Sequence, residues 1–131
     1  MREIEVNSEE SMQVIDVTDR VADLVAGTDD GLAFVSIPHT TATLLLSEDD
    51  EELRRDIIRV VQRWLKDCGP FEHIKKNNPN TVAHVLSSFG GTSLTIGISN
   101  GNLDLGTYQR ILFLELDGPK TRTIRLRTLP M

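Results

Sequence analysis

The chain has a single cysteine among its 131 residues, Cys68, so no internal disulfide can staple the fold. Its core has to hold by packing, and a reducing compartment suits it. No apolar run approaches the roughly 18 residues that a membrane-spanning helix needs. The N-terminus, Met1-Arg2-Glu3-Ile4-Glu5-Val6, lacks the apolar stretch of a signal peptide, so the cytoplasm is the expected location. Basic residues are in the minority: 14 Lys and Arg against 20 Asp and Glu leave a formal net charge of -6. Proteins that grip nucleic acid or anionic membranes present basic surfaces, so neither partner is expected. A small phosphorylated ligand remains compatible, because it needs only a locally positive pocket. The GxSxG, Walker A and dinucleotide fingerprints are also missing, which disfavours serine hydrolase, P-loop and Rossmann chemistry.

What is present is one domain over residues 1–131, without linker, repeat or low-complexity segment. Apolar residues at 39% and charged residues at 26% are ordinary for a globular domain of this size. Alternation predicts strands over Arg2–Val6 and Met12–Val17, with a turn at Asn7-Ser8-Glu9-Glu10. Asp16 or Thr18 is placed to cap a short helix carrying Val21, Leu24 and Val25, ended by Gly27. Leu32–Ile37 reads as a buried strand stopped by Pro38, and Ala42–Leu46 as another. Ser47 and Asp50 have capping-box spacing ahead of the clearest helix, with Leu53, Ile57, Val60, Val61, Trp64 and Leu65 in one stripe. Arg54, Arg55, Arg59, Arg63 and Lys66 fall on its solvated side, and Gly69-Pro70 ends it. A polar loop containing Lys75 and Lys76 leads to a second helix over Thr81–Phe89, broken by Gly90-Gly91. Strands follow at Thr92–Ile98, Tyr108–Leu116 and Thr121–Leu129, the last with Ile124 and Leu126 inward. These three read as a meander. The class is α+β, a mainly antiparallel sheet or sheets covered by two or three helices.

The three histidines are the first chemical candidates. His39 follows a strand, His73 lies in a loop and His84 on the second helix; their spacings match no local zinc motif. Neutral imidazole is nonetheless both a common metal ligand and the natural base near neutral pH. Scattered, unrelated histidines remain the alternative. Glu48 at a helix start serves the helix dipole or a site equally well. Glu115 is less ordinary: it shares a strand face with Gln109, Ile111 and Phe113, and a carboxylate in an apolar row must be paired, ligating or at an edge. With Leu112, Leu114 and Leu116 on the opposite face, that strand is apolar on both sides. One face is expected to meet helices and the other a second subunit. Gly90-Gly91-Thr92-Ser93 offers backbone N–H groups, yet it follows a helix C-terminus, the wrong dipole end for an anion. Cys68 reads as a bystander.

Taken in order, His39-Thr40-Thr41-Ala42, Glu48, Leu53-Arg54-Arg55-Asp56, Glu72-His73, Ala83-His84 with Ser87-Ser88, Gly91-Thr92-Ser93-Leu94 and Gly106-Thr107-Tyr108-Gln109 resemble the YjbQ-like family. The resemblance runs from about Val35 to Leu126. Tyr108 stands where the family usually has Trp, and Ser47 where it often has Asn. The resemblance implies an α+β domain that forms a homotrimer, its sheets packed around a threefold axis. It implies a site built from His39, Glu48, His73 and His84, completed from a neighbouring subunit. His39, Glu48 and His84 are then the catalytic candidates, and His39, His73 and His84 the ligands of a divalent metal, zinc or magnesium. Thr40, Ser87, Ser88, Thr92, Ser93 and Gln109 become substrate contacts. The activity attached to the family is thiamine-phosphate synthesis, in which a pyrimidine pyrophosphate is joined to a thiazole phosphate with loss of pyrophosphate. A metal-dependent hydrolase of a small phosphorylated substrate and a non-enzymatic trimeric metal- or ligand-binding protein are the alternatives.

Overall fold

A computed structural model describes residues 1–73 and 80–131, apart from the Leu65 side chain. The described elements run β1 (Arg2–Asn7), β2 (Gln13–Asp16), α1 (Thr18–Val25), β3 (Gly31–Ser36), β4 (Ala42–Ser47), α2 (Glu51–Cys68), α3 (Thr81–Gly90), β5 (Ser93–Ser99), β6 (Asn102–Leu103), β7 (Arg110–Glu115) and β8 (Thr121–Pro130). The expected Lys75-Lys76 loop lies outside the described residues, as does Leu65 as a stripe member. No described helix is long and apolar enough to cross a membrane.

The strands form two antiparallel sheets, one ordered β1-β8-β3-β5-β6 and the other β2-β7-β4. Alternation along each strand decides which sheet face is apolar. Ala33 and Val35, Ile96 and Ile98, and Ile124 and Leu126 therefore point to one side of the larger sheet. They meet Ala42, Leu44, Ile111 and Phe113 of the smaller sheet, with Val21 and Val25 of α1 joining them. The opposite face of the smaller sheet presents Val14, Leu112 and Leu114 to Val61 of α2 and to Ala83 and Leu86 of α3. The molecule is thus layered as large sheet, small sheet, then helices. Both apolar faces of β7 are covered within one chain, which corrects the expectation that one of them meets a second subunit. The meander expectation also fails. β7 belongs to the small sheet, whereas β8 inserts between β1 and β3 and β5 pairs on the far side of β3.

Local signals account for most boundaries. Asn100 and Gly101, at φ 52 and 79, form the tight turn their sequence predicts between β5 and β6. The N-cap of α2 is Asp50, whose carboxylate accepts from Leu53 N at 2.7 Å; Ser47 remains in β4, so the expected capping box is not used. Val17 is the N-cap of α1, while the Asp16 carboxylate accepts the Thr18 amide at 2.9 Å. The buried stripe of α2 also runs one step round from its expected position. Ile57, Ile58 and Val61 pack inward, and Val60 and Trp64 are exposed. Arg54, expected in solvent, instead pairs with Asp49 at 2.6 Å and donates to Val14 O at 3.0 Å.

Candidate functional site

The cleft that gathers most of the predicted residues lies where β3 ends and α3 crosses β4. β3 stops because Pro38 has no amide to offer the ladder. Two residues beyond the Ser36–Arg125 pair, the β8 amide of Thr123 would face that proline. It donates instead to Nε2 of His39, at 2.9 Å. The imidazole thus stands in for a missing strand partner and is half-buried.

Helix α3 is drawn onto β4 by small residues. The Ser87 hydroxyl donates to Ala42 O at 2.7 Å. Gly90 comes so close to Thr43 that any Cβ there would collide with the Thr43 hydroxyl. Gly91 turns the chain at φ 88, and its carbonyl accepts from Thr43 Oγ1 at 2.5 Å and from Leu44 N at 3.3 Å. Thr92 O then accepts from Ile37 N at 2.9 Å. These bonds lay Thr92 beside the His39 loop. His84 and Ser88, one turn apart on α3, face the same space. Together His39, Thr40, His84, Ser87, Ser88 and Thr92 line a cleft of about 320 Å³.

Three features define its chemistry. None of the six lining residues is acidic. The bond from Thr123 occupies the Nε2 lone pair of His39, so the neutral ring carries its proton on Nδ1 and is a donor there. Burial lowers the His39 pKa from its ordinary value, and the neighbouring Arg122 charge lowers it further, while Glu115 pulls the other way. Finally, the His73 ring meets the His84 ring edge-on, with centroids 5.3 Å apart. Of the hydroxyls, Ser87 is committed to Ala42 and Ser88 donates back to Val85 O at 2.8 Å. Thr40 and Thr92 are exposed at the surface.

The other predicted residues lie elsewhere. Glu48 is exposed just past the C-terminal end of β4, whereas His39 to Thr41 precede its start. Six strand residues at about 3.3 Å each separate them by roughly 20 Å. Gln109 closes the turn before β7, its Oε1 accepting from Gly106 N at 2.8 Å, at the same far end of the ladder as Ser47. Ser93 opens β5, exposed and paired with Ser36. A single chain therefore brings together His39, His84, Thr40, Ser87, Ser88 and Thr92, sets His73 against His84, and leaves Glu48, Gln109 and Ser93 apart. Among the described residues no group of three His, Cys, Asp or Glu side chains is arranged to hold a metal ion. His39 can enter such a set only by giving up its bond to Thr123.

Behind the cleft, sequence reasoning marked Glu115 as needing a partner but missed that partner, Arg122. Glu115 is fully buried and paired with Arg122, itself 5% exposed. Arg122 Nη2 donates to both Thr41 O, at 3.1 Å, and Thr41 Oγ1, at 2.8 Å. The signal was legible: Arg122 has the inward parity of Ile124 and Leu126, and an arginine on a buried face needs a carboxylate.

The family model described as UPF0047 protein, YjbQ-like, matches residues 2–130. A UPF0047 protein of Archaeoglobus fulgidus is 35% identical over 127 residues, covering 97% of this chain and 99% of the relative. The UPF0047 protein YugU of Bacillus subtilis is 33% identical over 132 residues, or 97% of each chain. Among solved structures, a hypothetical protein from Aeropyrum pernix K1 aligns with a TM-score of 0.92 at 37% identity, over 99% of this chain and 98% of its own. An uncharacterized conserved YjbQ/UPF0047 protein from Clostridium acetobutylicum gives 0.91 at 35% identity, over 98% of this chain and 100% of its own.

Proposed function

We propose that this chain, which belongs to the YjbQ-like UPF0047 family, binds a small phosphorylated ligand in the cleft between His39 and His84 and acts there as a transferase of the thiamine-phosphate synthase type. The observation that carries this reading is the make-up of the cleft. It holds two imidazoles and the hydroxyls of Thr40 and Thr92, with no carboxylate, in a chain whose net charge is -6. A patch spared of acid and supplied with N–H and O–H donors suits an anion. His39 donates from Nδ1, Thr40 and Thr92 from their hydroxyls, and His84 is the second imidazole facing the anion. Departure of pyrophosphate builds negative charge on the leaving oxygen, and donors already in place lower the barrier to that step.

Glu48 and Gln109 join the site, in this reading, from a neighbouring copy in a cytoplasmic homotrimer. The outer face of the five-stranded sheet supports self-association, since Phe34 is 42% and Leu129 59% exposed there. Any zinc or magnesium enters with the phosphorylated ligand, and His73 and His84 are the imidazoles at hand to meet it. No step above runs through a metal.

The test is calorimetric titration with inorganic pyrophosphate, with and without magnesium or zinc. An assay joining the pyrimidine pyrophosphate to the thiazole phosphate follows, and light scattering gives the oligomeric state. The expected result is pyrophosphate binding and turnover, both lost in His84→Ala with assembly retained. No binding under any condition refutes the anion reading. Binding without turnover refutes the transferase and leaves a binding protein. A monomer refutes the shared site.

A further inference from the structure

A full ion pair is buried between the two sheets, Glu115 on β7 of the smaller and Arg122 on β8 of the larger, although two well-packed apolar side chains fill such a place at no loss of stability in many proteins. Glu115 is 0% and Arg122 5% exposed. The carboxylate is fully engaged by Ser8 Oγ at 2.7 Å, the amides of Leu116 and Asp117 at 3.1 Å each, and Arg122 Nε at 2.9 Å. Arg122 Nη2, which also meets Glu115, reaches out of the pair to the carbonyl and hydroxyl of Thr41. The next residue, Thr123, donates its amide to His39 Nε2. Two consecutive β8 residues therefore hold the loop on either side of Thr40: Arg122 takes Thr41 and Thr123 takes His39. Pro38 fixes the backbone just before that loop.

We infer that the buried Glu115–Arg122 pair is a positioning device for the candidate site: it clamps the His39–Thr41 loop so that His39 presents an Nδ1–H donor to the cleft. Glu115 orients the guanidinium, Arg122 anchors Thr41, and the anchored loop keeps the His39 ring against the Thr123 amide. Both residues act through others and touch no ligand. The effect on ligand binding rests on the anion-site reading proposed above; the effect on the His39 ring does not.

The test replaces both partners together, Glu115→Leu with Arg122→Met, because removing one alone strands an uncompensated buried charge, which is strongly destabilising. Circular dichroism and the thermal transition report folding. Long-range proton–nitrogen correlation spectra of the imidazole report the His39 tautomer, and titration with inorganic pyrophosphate reports the cleft. A folded double variant is expected to show His39 exchanging between tautomers and pyrophosphate bound about tenfold more weakly, the worth of one hydrogen bond to a charged group. A folded variant with the wild-type imidazole spectrum and affinity overturns the inference. If the double variant does not fold, Thr41→Val decides, since it keeps the ion pair and deletes one anchor point. The His39 spectrum is expected to shift in the same direction, and an unchanged spectrum overturns the inference. If wild-type protein binds no pyrophosphate, the cleft reading falls, and the His39 spectra alone decide the positioning role.

Discussion

His39 offers the sharpest single-residue test, because its two ring nitrogens are assigned different work. Nε2 accepts the Thr123 amide, which leaves Nδ1 as the donor of the neutral ring, assigned above to the cleft. His39→Ala leaves that part-buried amide without an acceptor, at a cost of roughly 1–3 kcal/mol. For a chain of this size, each kcal/mol moves the melting temperature by about 3–5 °C, so alanine is expected to lower it by roughly 3–15 °C. His39→Gln behaves differently. Its Oε1 falls near the Nε2 position and its amide NH₂ supplies a donor, so it is expected to recover most of the lost stability and to keep pyrophosphate binding within about tenfold, one hydrogen bond's worth. The pH dependence separates the variants further. The folded pKa of His39 is lowered, so the unfolded chain binds the proton more readily than the folded one. The stability contribution is therefore complete above about pH 6.5, the unfolded value, and is lost as the pH falls from there toward the folded value. Neither variant retains that acid-side slope. The assays are thermal and denaturant melts from pH 5 to pH 8, with calorimetry at neutral pH. Alanine as stable as glutamine refutes the Thr123 bond as a stabilising contact. Glutamine abolishing ligand binding as fully as alanine refutes the donor role and makes His39 a base or a metal ligand.

Other consequences follow from the buried polar core. Burial alone would raise the Glu115 pKa, but its bonds from Arg122, Ser8 and the Asp117 amide together hold it below the usual carboxylate value. Its contribution is then present above about pH 4.3 and is lost as the pH falls below that. Glu115→Gln is expected to cost about 3–5 kcal/mol at neutral pH. The same variant is expected to flatten the acid limb of the stability profile, and an unflattened limb contradicts the pairing. Gly118→Ala is expected to destabilise, because a Cβ there would strike Glu10 O and lie 2.7 Å from Ser8 Oγ and 2.9 Å from Glu115 Cγ, two members of that network. A denaturant midpoint equal to wild type counts against the packing described. Phe113→Ala, at a fully buried position between the sheets, is expected to cost about 3–5 kcal/mol in the same melts.

Periodicity made the individual elements legible. Ile124 and Leu126 point inward as their alternation predicts, and Asn100-Gly101 turns where its dipeptide indicates. Pairing partners were not legible, since alternation defines a strand's faces but not its neighbours. β7 shows the limit well. Leu112 and Leu114 opposite Ile111 and Phe113 read the same whether their cover is another subunit or, as here, α2 and α3 on one side and the large sheet on the other. The α2 stripe shifted because Val60 and Trp64 fit the spacing as well as Ile58 does, and only packing against β7 selects between them. In the candidate site, the motif residues His39, Thr40, His84, Ser87, Ser88 and Thr92 share one cleft. Glu48 and Gln109 carried equal motif weight and lie at the opposite end of the β4–β7 ladder, because order in sequence says nothing of which strand end a residue occupies. Arg122 needed only its parity to be suspected.

The most direct test of the account is a titration of isotope-labelled protein with inorganic pyrophosphate, followed through backbone amide shifts. Saturable shifts concentrated at Thr40, His84, Ser88 and Thr92 are expected, with the His39 ring keeping its Nδ1–H tautomer throughout. Saturable shifts confined to the large-sheet face around Phe34 and Leu129, or no shifts at all, would contradict the anion reading.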